Sequence, residues 1–265
     1  MDINYFLQQL WQDYTQIAPQ AKALYQGFIR QGEQPVNDHV AFRTLNLSPV
    51  NLASLEPYLL ELGYQPFESY EFPQKKLKAW SYLPNQDQLP KIFFSELLTE
   101  QLSTKVQAIL NQLVNSIDSP IQGPQVFYSG RLWPAITLAD YQQLLAESEY
   151  AAWVAAFGLR ANHFTIAVHR LKHMNSLAKV LDWVNQQGYR INQQGRTIKG
   201  SAEVLLAQAA TIAEQVDVDF ADGQRKIPSC FYEFAYRYPD SSGKLFQGFV
   251  THNADKIFSS THVNS

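Results

Sequence analysis

The sequence predicts an α+β fold made of two βαβββ-like modules, and three observations carry that prediction. First, a strand bearing a histidine is followed by a helix and a Gly-Tyr pair twice along the chain, as His39 before Gly63-Tyr64 and His163 before Gly188-Tyr189. Second, the spacing repeats: 24 residues from 39 to 63, and 25 from 163 to 188. Third, both stretches run on through short strand-like segments to an acid inside an aromatic strand, Phe93-Phe94-Ser95-Glu96 and Phe231-Tyr232-Glu233-Phe234. The same order of features at the same internal spacing marks a duplicated unit.

Each element follows from the period of its apolar residues. Across 3–32, Phe6, Leu10, Tyr14, Ile17, Ala21, Leu24 and Phe28 recur at three- and four-residue steps, which predicts one N-terminal helix stopped by Gly32. From Val36 the period is two. Val40 and Phe42 share one face, and His39, Ala41 and Arg43 the other. Helical patterns return over 52–62, 97–117, 137–157 and 176–187, while 118–136 is a Pro- and Gly-bearing connection. Short strands are expected near 64–72, 78–82 and 91–94. In 162–168, Phe164, Ile166 and Val168 oppose His163, Thr165 and Ala167. The longer spacing from Gly188 to Glu233 implies an insertion in the second copy, expected as a helix over Ala202–Val216. The whole chain, 1–265, is expected to be a single catalytic domain: the N-terminal helix 3–32, module one at about 36–117 and module two at about 160–258.

Composition narrows the function. With 46% hydrophobic and 13% aromatic residues in 265, the chain has ample material for a core and is not disordered as a whole. A net charge of −3, from 21 Lys+Arg and 24 Asp+Glu, supplies no basic field for a nucleic-acid backbone. No stretch approaches the ~18 apolar residues of a spanning helix and no secretory leader opens the sequence, so no membrane partner and a cytoplasmic location are expected. Cys230 is the single cysteine, which excludes an internal disulfide and a thiolate zinc site and leaves it as a small buried hydrophobe.

Two modules packed about a pseudo-twofold axis bring equivalent first strands together, and with them His39 and His163. Glu233, which alternates with Tyr232 and Phe234, adds a carboxylate from a last strand. Two histidines and one carboxylate are the facial set suited to non-haem Fe(II), with positions left open for substrate and oxygen. Taken singly, each has an ordinary structural explanation; their places on repeat-equivalent strands set them apart. Glu96 is the competing donor, because a four-ligand site drawing one pair from each module would use it. Arg43 lies four residues beyond His39 on the same face, about 13 Å along the strand. Its guanidinium could grip the far carboxylate of a short diacid whose near end chelates the metal; a salt bridge at the strand end is the alternative. His169 and His173 are spaced like a helical metal pair, but Arg170 and Lys172 between them would repel a cation, so they read as a solvated helix start. His252 and His262 receive no role.

The strings Asn37-Asp38-His39-Val40-Ala41-Phe42-Arg43-Thr44, Gly130-Arg131-Leu132-Trp133-Pro134, Ala161-Asn162-His163-Phe164-Thr165, Lys199-Gly200-Ser201 and Phe231-Tyr232-Glu233-Phe234-Ala235-Tyr236-Arg237 resemble the signatures of the 2-oxoadipate dioxygenase/decarboxylase, or hydroxyglutarate synthase, family. Gly248-Phe249 and Ala254-Asp255-Lys256-Ile257-Phe258 extend the likeness over almost the whole chain. The resemblance implies a vicinal-oxygen-chelate fold, with paired βαβββ modules forming a half-open barrel around a metal and additional helices outside. It is similar in site layout to 4-hydroxyphenylpyruvate dioxygenase and hydroxymandelate synthase. Carried over, the metal ligands are His39, His163 and Glu233, Arg43 is the catalytic, substrate-binding residue, and Glu96 falls where that layout uses no ligand. The resemblance implies longer members with additional segments around the cavity, which leaves substrate contacts beyond Arg43 unassigned.

The implied activity takes a 2-oxo acid and O2 on Fe(II), releases CO2, and converts 2-oxoadipate to 2-hydroxyglutarate, a step of lysine breakdown. Two rivals make different demands. A redox-neutral glyoxalase-like lyase or isomerase would use Glu96 as a fourth ligand to Zn or Ni and turn over without oxygen. A non-catalytic module of the same fold would sequester a small acid and form no product. No oligomeric state is assigned.

Overall fold

The structure, a computed structural model, describes residues 1–261, so His262 lies outside the described residues. Residues 3–32 form two helices, α1 (Ile3–Ile17) and α2 (Pro19–Arg30), which corrects the expected single helix. The break is at Ala18, with φ −130°, because Pro19 has no N–H to donate and disfavours helical geometry in the residue before it. The buried stripe continues across the joint through Phe6, Leu10, Tyr14, Ala21, Leu24 and Phe28.

Module one follows as β1 (Asn37–Leu45), α3 (Leu52–Glu61), β2 (Gln65–Phe72), β3 (Leu77–Leu83) and β4 (Lys91–Leu97). Three helices connect it to module two: α4 (Thr104–Asn115), α5 (Leu138–Glu147) and α6 (Glu149–Phe157). The last two replace the single helix expected over 137–157. Ser148 leaves helical geometry between them and its hydroxyl accepts from the Ala151 N–H at 3.1 Å, capping α6. Module two comprises β5 (Ala161–Ala167), α7 (Leu177–Gln186), β6 (Lys199–Ser201), β7 (Leu206–Ala210), the hairpin β8 (Gln215–Phe220) and β9 (Gly223–Pro228), and β10 (Phe231–Arg237).

The two modules share one topology. The first strand lies parallel to the last, the last pairs antiparallel with the third, and the third with the second. β1 and β5 then pair antiparallel, which fuses the halves into a curled half-barrel of eight strands ordered β2-β3-β4-β1-β5-β10-β7-β6. These are the paired βαβββ modules that the repeat predicts.

The insertion in module two is different from the expected helix. Leu206–Ala210 is a fully buried strand, and the extra residues are the β8/β9 hairpin, whose Ala221 N–H donates to Ile136 O at 2.8 Å and whose Phe220 ring packs on Tyr141. Alanine favours helix only weakly, and ladders on both sides with β10 and β6 override that preference.

The sheet has two distinct faces. Phe164, Tyr232 and Phe234 meet the N-terminal helices, with Trp11 and Phe164 centroids 5.2 Å apart and Phe28 and Phe234 6.3 Å apart. Cys230 is buried and free, and burial pushes its thiol well up, so it has no thiolate character. The concave face carries the polar residues of β1, β5 and β10. Across its mouth lies α8 (Thr251–Ile257), which touches β2 at one edge of the sheet and β6 and β7 at the other. No helix among the described residues is long and apolar enough to cross a membrane.

Candidate metal centre

Strand register assembles the centre. β5 lies between β1 and β10, and sets Thr165 opposite both His39 and Glu233, while His163 stands opposite Ala41 and Phe231. His39, His163 and Glu233 therefore converge although they are far apart in sequence. His163 Nε2 is 3.2 Å from Glu233 Oε2, and His39 Nε2 is 3.6 Å from Glu233 Oε1. One donor atom from each residue lies within 4.8 Å of the others. All three are buried. Glu233 Oε2 approaches His163 without a directed hydrogen bond and is left unpartnered. An orphaned carboxylate oxygen facing one imidazole, on a carboxylate whose other oxygen faces a second, fits a shared cation, and these donors could hold a metal ion.

A second layer fixes the donors. His39 Nδ1–H donates to Asp38 Oδ1 at 2.8 Å and His163 Nδ1–H to Asn162 Oδ1 at 3.1 Å, which turns each Nε2 lone pair inward. The Thr165 hydroxyl donates to the His39 Nε2 lone pair at 3.0 Å, and Gln208 Nε2 donates to Glu233 Oε1 at 2.7 Å. Asp38 is gripped at both oxygens by Arg237, through Nε at 2.7 Å and an Nη at 2.9 Å. Arg237 also donates to the carbonyls of Phe246 and Gly248, and its guanidinium lies over the Phe249 ring that packs on His39. Asp38→Asn should lower stability, because it leaves the buried Arg237 without its charged partner, and in the protein that remains folded it should weaken metal binding by about 10–100-fold, measured by chelator competition, because the amide can present its N–H2 to His39 and misorient the ring. Metal affinity equal to that of the parent would refute this coupling.

Electrostatics follow from burial and neighbours. Burial by itself would raise the Asp38 carboxyl, but Arg237 and His39 hold it well below the usual carboxylate range. Burial likewise opposes ionisation of Glu233, and His39, His163 and Gln208 together bring it below its ordinary value. Burial pulls His163 down, with Glu233 opposing. In each case the unfolded chain binds the proton more readily than the folded one, so stability is present above the unfolded pKa and lost as pH falls. Melting temperatures of chelator-treated protein should therefore decline as pH drops below the ordinary His163 value of 6.5, and again as it drops below the ordinary carboxyl values of 4.5 for Glu233 and 3.8 for Asp38. A flat profile from pH 7 to 4 would contradict these shifts.

Glu96 is not in the centre. β1 pairs His39 with Lys91 and β5 pairs His163 with Phe231, so the module-one counterpart of Glu233 is Phe93. Glu96 stands three residues further along, an odd step that puts it on the opposite face, where it accepts from the Leu52 N–H at the start of α3 at 3.0 Å. Arg43 is fully buried on the concave face and already partnered. It donates to Glu149 Oε1 at 2.9 Å, Thr261 Oγ1 at 3.2 Å and Phe258 O at 3.4 Å, between the rings of Tyr150 and Trp153. The space left among His39, His163, Glu233, Phe93, Phe249 and Phe258 is a cavity of about 20 Å³, room for an ion or one water. His169 and His173 are apart from it. His169 Nδ1 accepts from the Arg237 N–H at 3.4 Å, and the Lys172, His173 and Met174 amides all donate to Glu33 in the turn before α7.

Sequence reasoning missed Asp38, Asn162, Thr165 and Gln208. The paired strings Asp38-His39 and Asn162-His163 were the available signal, since a polar residue precedes each histidine in both copies. It also missed Lys199, buried opposite Gln208, with Nζ donating to Asn192 O at 2.7 Å. Burial brings its ammonium down to about 8, against the pull of Glu233.

A family model described as 2-oxoadipate dioxygenase/decarboxylase matches residues 6–123 and 125–242. The chain belongs to the 2-oxoadipate dioxygenase/decarboxylase family. The chloroplastic enzyme of that name from Arabidopsis thaliana is 35% identical over 257 residues, which span 86% of this chain and 69% of the relative. The crystal structure of the Oryza sativa hydroxyglutarate synthase in complex with 2-oxoadipate superposes with a TM-score of 0.91 at 31% identity, over 98% of this chain and 92% of that one. A Shewanella frigidimarina structure, provisionally named a hydrolase, is 44% identical with a TM-score of 0.89 and covers 94% of this chain and 98% of its own. A glyoxalase-superfamily protein from Ralstonia eutropha, 24% identical with a TM-score of 0.72 over 91% of this chain and 83% of its own, shares the fold. The 2-oxoadipate dioxygenase/decarboxylase fold is thus a mixed α+β half-barrel with its polar site on the concave face.

Proposed function

We propose that this member of the family is an Fe(II)-dependent dioxygenase/decarboxylase that converts 2-oxoadipate, or a similar 2-oxo diacid, with O2 to 2-hydroxyglutarate and CO2. The observation that carries the reading is the buried His39, His163 and Glu233 cluster, its carboxylate oxygen unpartnered, in a family whose rice relative is described in complex with 2-oxoadipate. One oxygen atom enters the new carboxylate and the other the hydroxyl, so no second 2-oxo acid is needed. A bound Fe(II) would supply the redox chemistry and the Lewis acidity that orients a 2-oxo carboxylate.

The chain's own residues supply the rest. His39, His163 and Glu233 would hold the ion on one side, leaving the other towards Phe93, Phe249 and Phe258, an aromatic wall that keeps water out. Arg43 is the proposed grip for the distal carboxylate. A six-carbon diacid does not fit in about 20 Å³, so substrate must push back the Phe258–Thr261 turn, which also releases the Arg43 guanidinium from Phe258 O and Thr261. Lys199, on the strand beside Gln208, adds a positive group near Glu233 that can balance the charge of an incoming dianion. A cytoplasmic setting is part of the proposal.

The redox-neutral reading loses its fourth ligand, because Glu96 faces α3. The deciding experiment is oxygen uptake and CO2 release by protein loaded anaerobically with Fe(II) and given 2-oxoadipate. One CO2 per O2 is expected, with none from His163→Ala. Oxygen-independent consumption of substrate would replace the proposal with lyase chemistry, and no consumption with a binding role.

A further inference from the structure

At the end of the sheet where β1 and β4 begin and β5 and β10 finish, a separate cavity of about 580 Å³ opens. This is within the ~300–1,000 Å³ of small-molecule sites. Its floor is the Asp38–Arg237 pair, which neutralises itself and separates the cavity from the His39 ring behind. Three further cations, Lys91, Arg170 and Lys244, line the walls against one acid, Asp87. None of the three has an ion-pair partner within 4.0 Å among the described residues, and Lys91 is half-buried. An unpaired ammonium among other cations in a half-dry cleft is held at a cost that a bound anion would relieve. Leu83, Pro84 and Leu89 add apolar lining, so the cleft suits a charged head on a short carbon body.

We infer that this cavity binds a small doubly charged oxyanion, a phosphate or a dicarboxylate, at a site distinct from the His39, His163 and Glu233 centre. Nothing in this inference depends on the proposed reaction. It also gives the 83–89 segment a role as a wall of this cleft.

The test is isothermal titration of the full-length protein with inorganic phosphate and, separately, with glutarate at constant ionic strength. Saturable binding is expected for at least one probe. It should weaken about tenfold in Arg170→Gln/Lys244→Gln and in Lys91→Gln, and persist in Lys91→Arg and in His163→Ala. Tighter phosphate binding identifies a phosphate head, and tighter glutarate binding a dicarboxylate. Absence of saturable binding, affinity unchanged in the double variant, or loss of binding in His163→Ala would overturn the inference. The double variant alters two exposed side chains, so it stays informative if Lys91→Gln fails to fold.

Discussion

Glu233→Gln is expected to abolish metal binding at working concentrations while leaving the fold intact. The amide matches the carboxylate in size and keeps an oxygen for Gln208, whose Nε2 now donates to Oε1 at 2.7 Å. It removes the one negative charge that faces both imidazoles and replaces an acceptor with an N–H2 group. Loss of an outer-layer partner weakens a metal site by about 10–100-fold, so loss of the charged ligand should exceed about 100-fold. Turnover should fall by a similar factor or more, since several kcal/mol of charge stabilisation go with the ion and each ~1.4 kcal/mol is tenfold in rate. Chelator competition and oxygen uptake measure the two effects separately. Metal affinity within twofold of the parent would remove Glu233 from the ligand set.

The second large effect concerns Arg43, and it needs two variants to interpret. Arg43→Met leaves Glu149 without its 2.9 Å partner at a site where the carboxylate side chain is only 12% exposed. Breaking a buried pair by removing one member costs about 3–5 kcal/mol, and the small exposure of Glu149 puts this case at the low end. Reduced activity of the single variant would therefore report instability as well as substrate handling. In Arg43→Met/Glu149→Leu both charges are gone and the volume is kept, so most of the stability should return. If Arg43 grips the distal carboxylate, the KM for 2-oxoadipate in the double variant should stay at least about tenfold high while metal affinity is unchanged. Recovery of both stability and KM would reduce Arg43 to a structural partner of Glu149.

Much of this architecture was legible because burial imposes a period. β1, β5 and β10 alternate an aromatic or aliphatic face with a polar one, and that alternation puts His39, Arg43, His163 and Glu233 on the polar faces of their strands. What failed had local causes. Pro19 and Ser148 each divide a continuous apolar stripe, which a periodicity argument carries straight across. Leu206–Ala210 contains residues that suit a helix, and only the flanking ladders make it a strand. Glu96 matches Glu233 in the sequence because both are acids inside aromatic strands, whereas the ladders align Phe93 with Glu233, and a three-residue offset reverses the face. Arg237 shares the Glu233 face in the sequence, yet nothing there revealed that it grips Asp38 and the Phe246–Gly248 carbonyls across the sheet.

The correspondence of Phe93 with Glu233 makes the two halves unequal partners. A duplicated module that kept an acid at both places would surround an ion with four charged or basic donors and leave little room for anything else. Here one half contributes the carboxylate and the other a ring that packs at a tilt against Phe249, with centroids 4.8 Å apart. Division of labour between the copies thus gives the buried centre one anionic flank and one aromatic flank. A molecule approaching His39, His163 and Glu233 is expected to meet the ring of Phe93 on the module-one side.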